Sequence, residues 1–423
     1  MSHATVPRSQ VDVSARAVEA PARGMLMLGG ALAVVGLGMF GLLLAGDDPG
    51  RAWRSYHINF LFFTGLSLGS IIFAAIQKLS QGVWAGALVR FSEATVAFLP
   101  VSLVLFVVLF FGRQHLFPWI ANPTPLRGNW LTTSAVFWRD LVALLVVFGV
   151  ATALVLTDLR PDLAVLRDRV SGSRRNIFLR LANGYHGTPE QVEANRRRLT
   201  ALSALLLVVY AYGFSLIGFD LIMSLAPYWI STLLGAFFFM GAFLTGLTTL
   251  GLMTIYWRGK LGLESVIGRQ QFHDLGKLIF GFSVFWAYLM FSQVLVIWYG
   301  NLPEETSFVF YRLWGEWRPI SWLVFSLIFI VPFWGLIWVK SKTNPMTLGF
   351  FSVISLCGVW LERYLLIQPS LTDTGPIFGF TEIAVTAGFL GLFLLSYALF
   401  ARTFPMVSPR LVAEQEAFHK HEK

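Results

Sequence analysis

The feature that most constrains this chain is a series of ten apolar stretches, each about twenty residues long or longer. They cover residues 24–45, 56–77, 87–111, 134–156, 200–223, 229–255, 275–299, 320–339, 346–367 and 381–401. A helix of about 20 apolar residues spans the hydrocarbon core of a bilayer. Only helices and closed barrels satisfy their backbone polar groups there, and these stretches lack the alternation of barrel strands. The sequence therefore predicts an all-α polytopic membrane protein with about ten transmembrane helices.

The composition excludes several other classes of protein. Of the 423 residues, 56% are hydrophobic and 13% are charged, whereas soluble proteins carry about 25% charged residues. Such a balance is the opposite of that of a disordered chain. Cys357 is the single cysteine, which excludes a disulfide framework and an iron–sulfur cluster held by about four thiolates. Covalent c-type haem is excluded for the same reason.

The histidines give no sign of a haem or metal site. Of seven, only His57 and His273 touch the apolar stretches, and they do so at opposite ends. A b-type haem with two imidazole ligands needs paired histidines at similar depth, so we expect no haem, no iron–sulfur cluster and no other metal in this chain. We assign no catalytic residue.

The distribution of Lys and Arg predicts the orientation. The two tails and the loops after the even-numbered stretches hold 24 of these residues, and the opposite side holds 8. By the positive-inside rule both termini are cytoplasmic. The net charge of +9 is thus a topology signal, and nucleic-acid binding is excluded. The predicted division is a tail at 1–23, membrane helices at 24–157, a basic cytoplasmic loop at 158–199, membrane helices at 200–401 and a tail at 402–423.

Charged side chains inside the apolar stretches are candidates for function, because each is costly to place in a bilayer. By depth they form two groups. The cytoplasmic group comprises Glu93, His273, Asp274 and Lys277, with Arg90 beside Glu93. The outer group comprises His57, Asp140, Asp220, Glu362 and Arg363, with Arg139 and Glu382 nearby. Two proton half-channels and two sets of structural ion pairs both fit this pattern, and the residues alone leave the choice open.

Three segments are more specific than composition. They are residues 219–232 (FDLIMSLAPYWIST), residues 272–306, which contain HDLGK, FWAY, SQ and WYGNLPEET in that order, and residues 360–364 (WLERY). Together they resemble the ActF-type membrane subunit of alternative complex III, a bacterial quinol:electron-acceptor oxidoreductase that reduces cytochrome c type acceptors. That subunit is related to the NrfD family, the membrane anchor of polysulfide reductase.

The resemblance implies a fold of two four-helix bundles, formed by helices two to five and six to nine, flanked by helices one and ten. It implies a subunit of the bacterial inner membrane without its own redox metal. It also implies assembly with a sister NrfD-like subunit, a multihaem cytochrome c and an iron–sulfur subunit, and proton half-channels within the membrane.

Departures from the family pattern bear on the quinol. Ser292 and Gln293 stand where the sister subunit has a glutamate, which favours the ActF type and weakens the case for quinol oxidation in this chain. Leu221 stands where the family commonly has tryptophan, and Tyr228 stands where it commonly has histidine.

Three alternatives to this assignment remain. They are a quinone-binding subunit with a cleft lined by Phe285, Trp286 and Tyr288, a stand-alone proton-coupled secondary transporter, and a passive anchor surrounded by lipid.

Overall fold

The computed structural model describes residues 12–19, 21–123, 127–372 and 375–421, with side chains as far as residue 417. Within these ranges the chain is helical and contains no strand. Ten helices are long and apolar enough to cross a membrane, which confirms the predicted fold class. They are α1 (Arg23–Leu44), α2 (Pro49–Leu79), α3 (Gly86–Leu116), α4 (Thr133–Leu166), α5 (Pro189–Leu221), α6 (Leu234–Lys260), α7 (Arg269–Gly300), α8 (Gly315–Leu336), α9 (Pro345–Ile367) and α10 (Phe380–Thr403).

The helices pack as two four-helix bundles and one pair. Helices α2 to α5 contact one another and form the first bundle, and α6 to α9 form the second. The bundles meet mainly where α2 lies against α6, so α2 is buried along its whole length. Helices α1 and α10 pack tightly together and lie against α2 and α3. This arrangement matches the expected two bundles with flanking helices one and ten.

Glycines allow the closest approaches between helices. A Cβ on Gly69 of α2 would overlap the backbone of Ala242 in α6, and a Cβ on Gly246 of α6 would overlap the backbone of Gly69. Gly36 of α1 and Gly388 of α10 face each other in the same way. Small residues at such positions let backbones approach closely, which is how helices associate in lipid.

Helices α4 and α5 extend well beyond the predicted stretches. They contain 34 and 33 residues, or about 50 Å at 1.5 Å per residue, against a hydrocarbon core of about 30 Å. The buried residues Leu159, Leu163 and Leu166 continue the apolar face of α4 beyond residue 156. Thr188 caps α5 by accepting a hydrogen bond from the Gln191 amide. Much of the predicted loop 158–199 is therefore helical, while its placement relative to a membrane stays a prediction.

Three segments outside the two bundles lie together at one end of the molecule. The short helix Val13–Val18, the segment between α4 and α5, and the last helix, Pro409–His421, lie together at one end. We call this the basic end, and the other the opposite end. Gln415 fastens the last helix: its Oε1 accepts from the Ala87 amide at 3.1 Å and its Nε2 donates to the Val266 carbonyl at 3.2 Å.

Candidate functional site

The largest set of buried charges lies at the basic end of the first bundle. We call it the basic-end cluster, and it contains three cations and three carboxylates: Lys78, Arg90, Arg410, Glu93, Asp158 and Asp162. The cations and carboxylates come from α2, α3, α4 and the helix Pro409–His421. All three carboxylates are buried. The cluster is charge-balanced, as burial in a low-dielectric interior requires.

Arg90 and Asp158 are the centres of this cluster. Arg90 Nη1 lies 2.7 Å from Glu93 Oε2, and its Nη2 lies 2.7 Å from Asp162 Oδ2 and 3.1 Å from Asp158 Oδ2. Asp158 also receives Lys78 Nζ at 3.1 Å and Arg410 Nη2 at 2.8 Å. Lys78 contacts Glu93 at 2.9 Å. Each carboxylate thus faces at least one cation, and Asp158 faces three.

A cavity of about 330 Å³ opens onto one side of the cluster. Lys78, Asp158 and Arg410 contribute to its wall, and Asn195 and Thr200 of α5 line the other side. Arg196 and Glu414, which also line the cavity, are at the protein surface. Water can therefore approach buried carboxylates from the basic end without crossing the bundle.

A second charged group lies at the opposite end of the same bundle. Asp220 of α5 accepts hydrogen bonds from Arg139 Nε at 2.6 Å and from Trp130 Nε1 at 2.9 Å. The Arg139 guanidinium also stacks 3.8 Å from the Trp130 ring centroid. Asp140, the next residue on α4, is buried with its carboxyl facing Asp220. Two carboxyls against one guanidinium leave a negative charge that a shared proton would neutralise.

His57 lies near this second charged group and is linked to it by contacts between aromatic rings. It is fully buried, and neither ring nitrogen has a hydrogen-bond partner among the described residues. Its ring centroid is 6.3 Å from that of Phe117, which stacks on Trp119 at 5.2 Å. Trp119 Nε1 donates to Ser224 Oγ at 3.3 Å, and Ser224 donates to the Asp220 carbonyl. His57 is thus connected to Asp220 by packing, with no direct contact in the described structure.

Glu362 and Arg363 form an isolated pair on α9 of the second bundle. Arg363 Nη1 donates to Glu362 Oε1 at 3.0 Å and Nη2 donates to the Phe238 carbonyl at 3.2 Å. Glu362 Oε2 has no partner among the described residues and lines a cavity of about 110 Å³ in the second bundle. Apart from Glu362, Gln293, Arg312 and Ser321, the walls of this cavity are apolar.

His273, Asp274 and Lys277 lie elsewhere. Asp274 accepts from Lys277 Nζ at 2.9 Å and from Gln270 Nε2 at 2.8 Å, and His273 Nδ1 is 4.0 Å from it. Lys277 is 53% exposed. These three residues form a local group on a partly exposed face of α7, and none has an ion pair or hydrogen bond with the basic-end cluster.

The three aromatic residues predicted to line a quinone cleft face different ways. Trp286 is buried and forms part of the wall of the Glu362 cavity. Tyr288 is 60% exposed and stacks on Phe285, with 6.0 Å between centroids. The two side chains therefore cover the outer surface of α7, and neither lines the cavity beside Trp286.

A wider cavity is a groove of about 580 Å³ between α2, α6, α9 and α10. Its walls are mainly apolar, including Phe62, Leu252 and Leu390. Glu382, at one edge, is held by Arg51 through two hydrogen bonds of 2.9 and 2.7 Å. The groove therefore offers apolar contact and little for recognising a polar group.

Comparison with known protein families agrees with this arrangement. Residues 43–374 match the family described as polysulphide reductase, NrfD. The chain belongs to the NrfD family. The match runs from the end of α1 through α9, so it covers both bundles. A comparison with curated proteins gives no match.

NrfD-family proteins are membrane subunits of quinone-interacting oxidoreductases and assemble with other respiratory subunits. This NrfD-family chain accordingly is a multi-pass membrane subunit. The predicted relation to NrfD is confirmed. The finer assignment to the ActF type, and the roles of individual residues, are treated below as proposals.

Four residues of the basic-end cluster were not among the predicted site residues of this NrfD-family chain, and the first of them, Lys78, directly follows the second apolar stretch. Asp158 and Asp162 stand in a segment predicted as loop, and Arg410 in the predicted tail. A signal was nevertheless present, because Asp158 and Asp162 are four residues apart and share a helix face if α4 continues. The partner of Asp158 on the last helix is 252 residues away, and no local pattern encodes that contact.

Proposed function

We propose that this protein is the ActF-type membrane subunit of an alternative complex III, a quinol:electron-acceptor oxidoreductase of the bacterial inner membrane. In this role it has no redox centre of its own. It supports assembly of the complex and carries protons through part of the membrane. Both termini are in the cytoplasm. NrfD-family membership favours a subunit over a stand-alone secondary transporter.

The observation that carries the proton role is the basic-end cluster beside its cavity. Asp158 and Lys78 contribute to the wall of a space open to water, and they also contact the buried residues Arg90 and Glu93. A proton that arrives through the cavity can bind a carboxylate, because Arg90 contacts Glu93, Asp158 and Asp162 together and stays paired when one of them is protonated. Carboxylates with adjustable partners are suited to reversible protonation.

In our proposal, the group of Asp140, Asp220 and Arg139 at the opposite end of the first bundle is the site where protons are released. Asp140 and Asp220 are adjacent carboxyls, and among the described residues Arg139 is the cation that pairs with them. In our proposal they hold one proton between them. Trp130 and Arg139 keep Asp220 near the surface, and both are partly exposed. Protons pass to the outside from this end.

The proposed partners are a sister NrfD-like subunit, a multihaem cytochrome c and an iron–sulfur subunit. Support comes from large aromatic side chains exposed on and beside α7 and α8 at the opposite end, namely Trp298, Tyr299, Trp314 and Trp322. Aromatic residues are enriched both in protein interfaces and at membrane boundaries. The exposed rings are therefore suited to seat an extracytoplasmic subunit.

The test measures protons moved per quinol oxidised by the assembled complex carrying Glu93→Gln or Asp220→Asn. We expect the ratio to fall while the complex still assembles, because each variant removes a carboxylate from a proposed relay. The control is Glu193→Gln, which alters a carboxylate at the protein surface. An unchanged ratio with intact assembly would reject the proton role and leave a scaffold.

The second candidate is a quinone-binding subunit, and the cavity beside Trp286 and Glu362 favours it. A quinone ring could stack against its apolar walls, and Trp286 Nε1 and Glu362 Oε2 have no partner among the described residues. The test is photo-crosslinking of the assembled complex with an azido-quinone. Labelled peptides around residues 286–297 and 362–366 would support this candidate, and labelling confined to the sister subunit would reject it.

A further inference from the structure

Four buried hydroxyls in the core of the second bundle have no hydrogen-bond partner within the described part of the chain. They belong to Thr254 of α6, Ser283 of α7, and Ser352 and Ser355 of α9. Each residue is fully buried, and none of the four hydroxyls makes a hydrogen bond to any described residue. We call them the column hydroxyls.

Their lack of partners distinguishes them from several neighbouring hydroxyls in the same bundle. A Ser or Thr in a membrane helix ordinarily donates to a carbonyl one turn earlier. Thr245, Thr248 and Thr249 of α6 all do so, at 2.7, 3.1 and 2.8 Å. Ser292 of α7 does the same at 2.8 Å. The column hydroxyls lie on the same helices or on α9 beside them, yet they point away from their own backbone and into the bundle.

The column hydroxyls lie at successive levels of one core. A Cβ on Gly251 of α6 would lie 3.0 Å from Ser352 Oγ and 3.7 Å from Ile279 of α7, so the three helices meet there. Ser283 is one turn beyond Ile279, and Ser355 is one turn beyond Ser352. Thr254 is one turn after Gly251 along α6. Because α6 runs antiparallel to α9, Thr254 lies on the side of this level away from Ser355. The hydroxyls therefore follow one another along the bundle axis.

Glu362 stands at the end of this series. Gly241 of α6 would place a Cβ 3.8 Å from Glu362 Oε2, and α6 runs antiparallel to α9. From Ser352 to Glu362 the axis rises about 15 Å at 1.5 Å per residue. Between them lies Trp286, whose buried Nε1 also has no partner among the described residues. The carboxylate oxygen at the end is likewise unpartnered.

The spacing of Ser352 and Ser355 suits a bound water molecule. They are one turn apart on α9, so their Cβ atoms are about 5–6 Å apart, and a water molecule with two hydrogen bonds of about 2.8 Å bridges that distance. Buried polar groups without protein partners are the usual anchors of internal water.

We propose that the core of the second bundle binds a file of water molecules, anchored by the column hydroxyls, that relays protons to and from Glu362. A proton added to a water at one end releases a different proton at the other, so only O–H bonds change and no oxidant or reductant is needed. The file ends at the Glu362 cavity on one side. At the other end of the file is Thr254, which lies six residues, or about 9 Å, from the last residue of α6. The relay role rests on the proposed function, whereas the bound water does not.

The experiment uses the whole assembled complex and X-ray hydroxyl-radical footprinting, read by mass spectrometry. Radicals form from water at the site, so buried side chains beside bound water are oxidised. We expect oxidation of Trp286 and Ile279 in the native protein, and at least a fivefold loss in the variant Ser283→Ala, Ser352→Ala, Ser355→Ala. The matched control is Thr245→Val, which removes a hydroxyl satisfied by its own helix and should leave oxidation unchanged. If the triple variant does not assemble, Ser355→Ala alone is used.

The same samples are assayed for protons moved per quinol oxidised. The proposal expects a lower ratio in the triple variant and recovery with Ser→Thr replacements, which retain the hydroxyls. Native Trp286 and Ile279 without oxidation would overturn the water file. Oxidation with an unchanged proton ratio in the triple variant would overturn the relay. If Glu93→Gln still lowers that ratio, the proposed function stands and only this inference fails.

Discussion

The two bundles solve the problem of buried polarity in different ways. The first bundle concentrates charge at its ends and pairs it, with Asp158 alone facing three cations. Among the residues that the structure describes, the second bundle contains one buried ion pair, Glu362–Arg363, and a series of hydroxyls without protein partners. A buried charge is costly without a partner, whereas a buried hydroxyl can be satisfied by water. Among the described residues, the first bundle therefore holds more of the buried ion pairs, and the second holds more of the hydroxyls without protein partners.

The largest effect is expected at Arg90, whose removal tests whether the first bundle depends on its paired buried charges. Arg90→Leu leaves Glu93, Asp158 and Asp162 with two cations instead of three. We expect a loss of about 3–5 kcal/mol in stability, because a buried carboxylate would lack its partner. Thermal unfolding of the detergent-purified protein measures the effect. Arg197→Leu is the control, since that side chain is 78% exposed. Equal unfolding midpoints for the two variants would show that the cluster does not stabilise the bundle.

The contact between the bundles is tested at Gly246. Gly246→Ala places a Cβ against the backbone of α2, and overpacking of this kind costs about 1–3 kcal/mol. The matched control is Gly281→Ala in α7, where a Cβ meets nothing within 4 Å. That substitution should stabilise the helix by about 0.5–1 kcal/mol. If both alanines change the unfolding midpoint in the same direction, the bundles are not held in close backbone contact.

A substitution at the opposite end of the first bundle tests the same kind of ion pair as Arg90→Leu, with a smaller expected loss of stability. Arg139→Gln removes the cation from Asp220 and Asp140. The side chain of Arg139 is 19% exposed, so solvent screens part of the interaction, and we expect a loss of about 1–3 kcal/mol. The measurement is again the unfolding midpoint. A loss as large as that of Arg90→Leu would mean that depth of burial does not distinguish the two ends.

The smallest effect is expected in the second bundle. Ser352→Ala removes a hydroxyl that has no hydrogen-bond partner among the described residues, so stability should change by less than about 1 kcal/mol. Ser70→Ala is the comparison, because Ser70 Oγ contacts the carbonyls of Leu66 and Gly246 at 2.9 and 3.3 Å, and its loss should cost about 1 kcal/mol or more. A larger loss at Ser352 than at Ser70 would contradict the absence of a protein partner.

The sequence indicated much of the site at the level of single residues. It placed Glu93, Asp140, Asp220 and Glu362 within apolar stretches, and each is buried. The Arg90–Glu93 pair follows from a spacing of three residues on one helix. The sequence did not separate Glu93 from His273 and Asp274, although the first is buried in a cluster and the other two face the surface. Depth along a helix can be read from hydropathy, but the face that a residue presents depends on its neighbours.

What the sequence determined by itself is the number of helices, their apolar character and their family. These follow from the cost of exposing backbone and charge to lipid, which acts on each segment independently. The tertiary structure decided which charges meet. Arg410 reaches Asp158, and Arg139 reaches Asp220, only because helices distant in sequence pack side by side. It also decided which hydroxyls lack partners, since that depends on the helix opposite as much as on the residue itself.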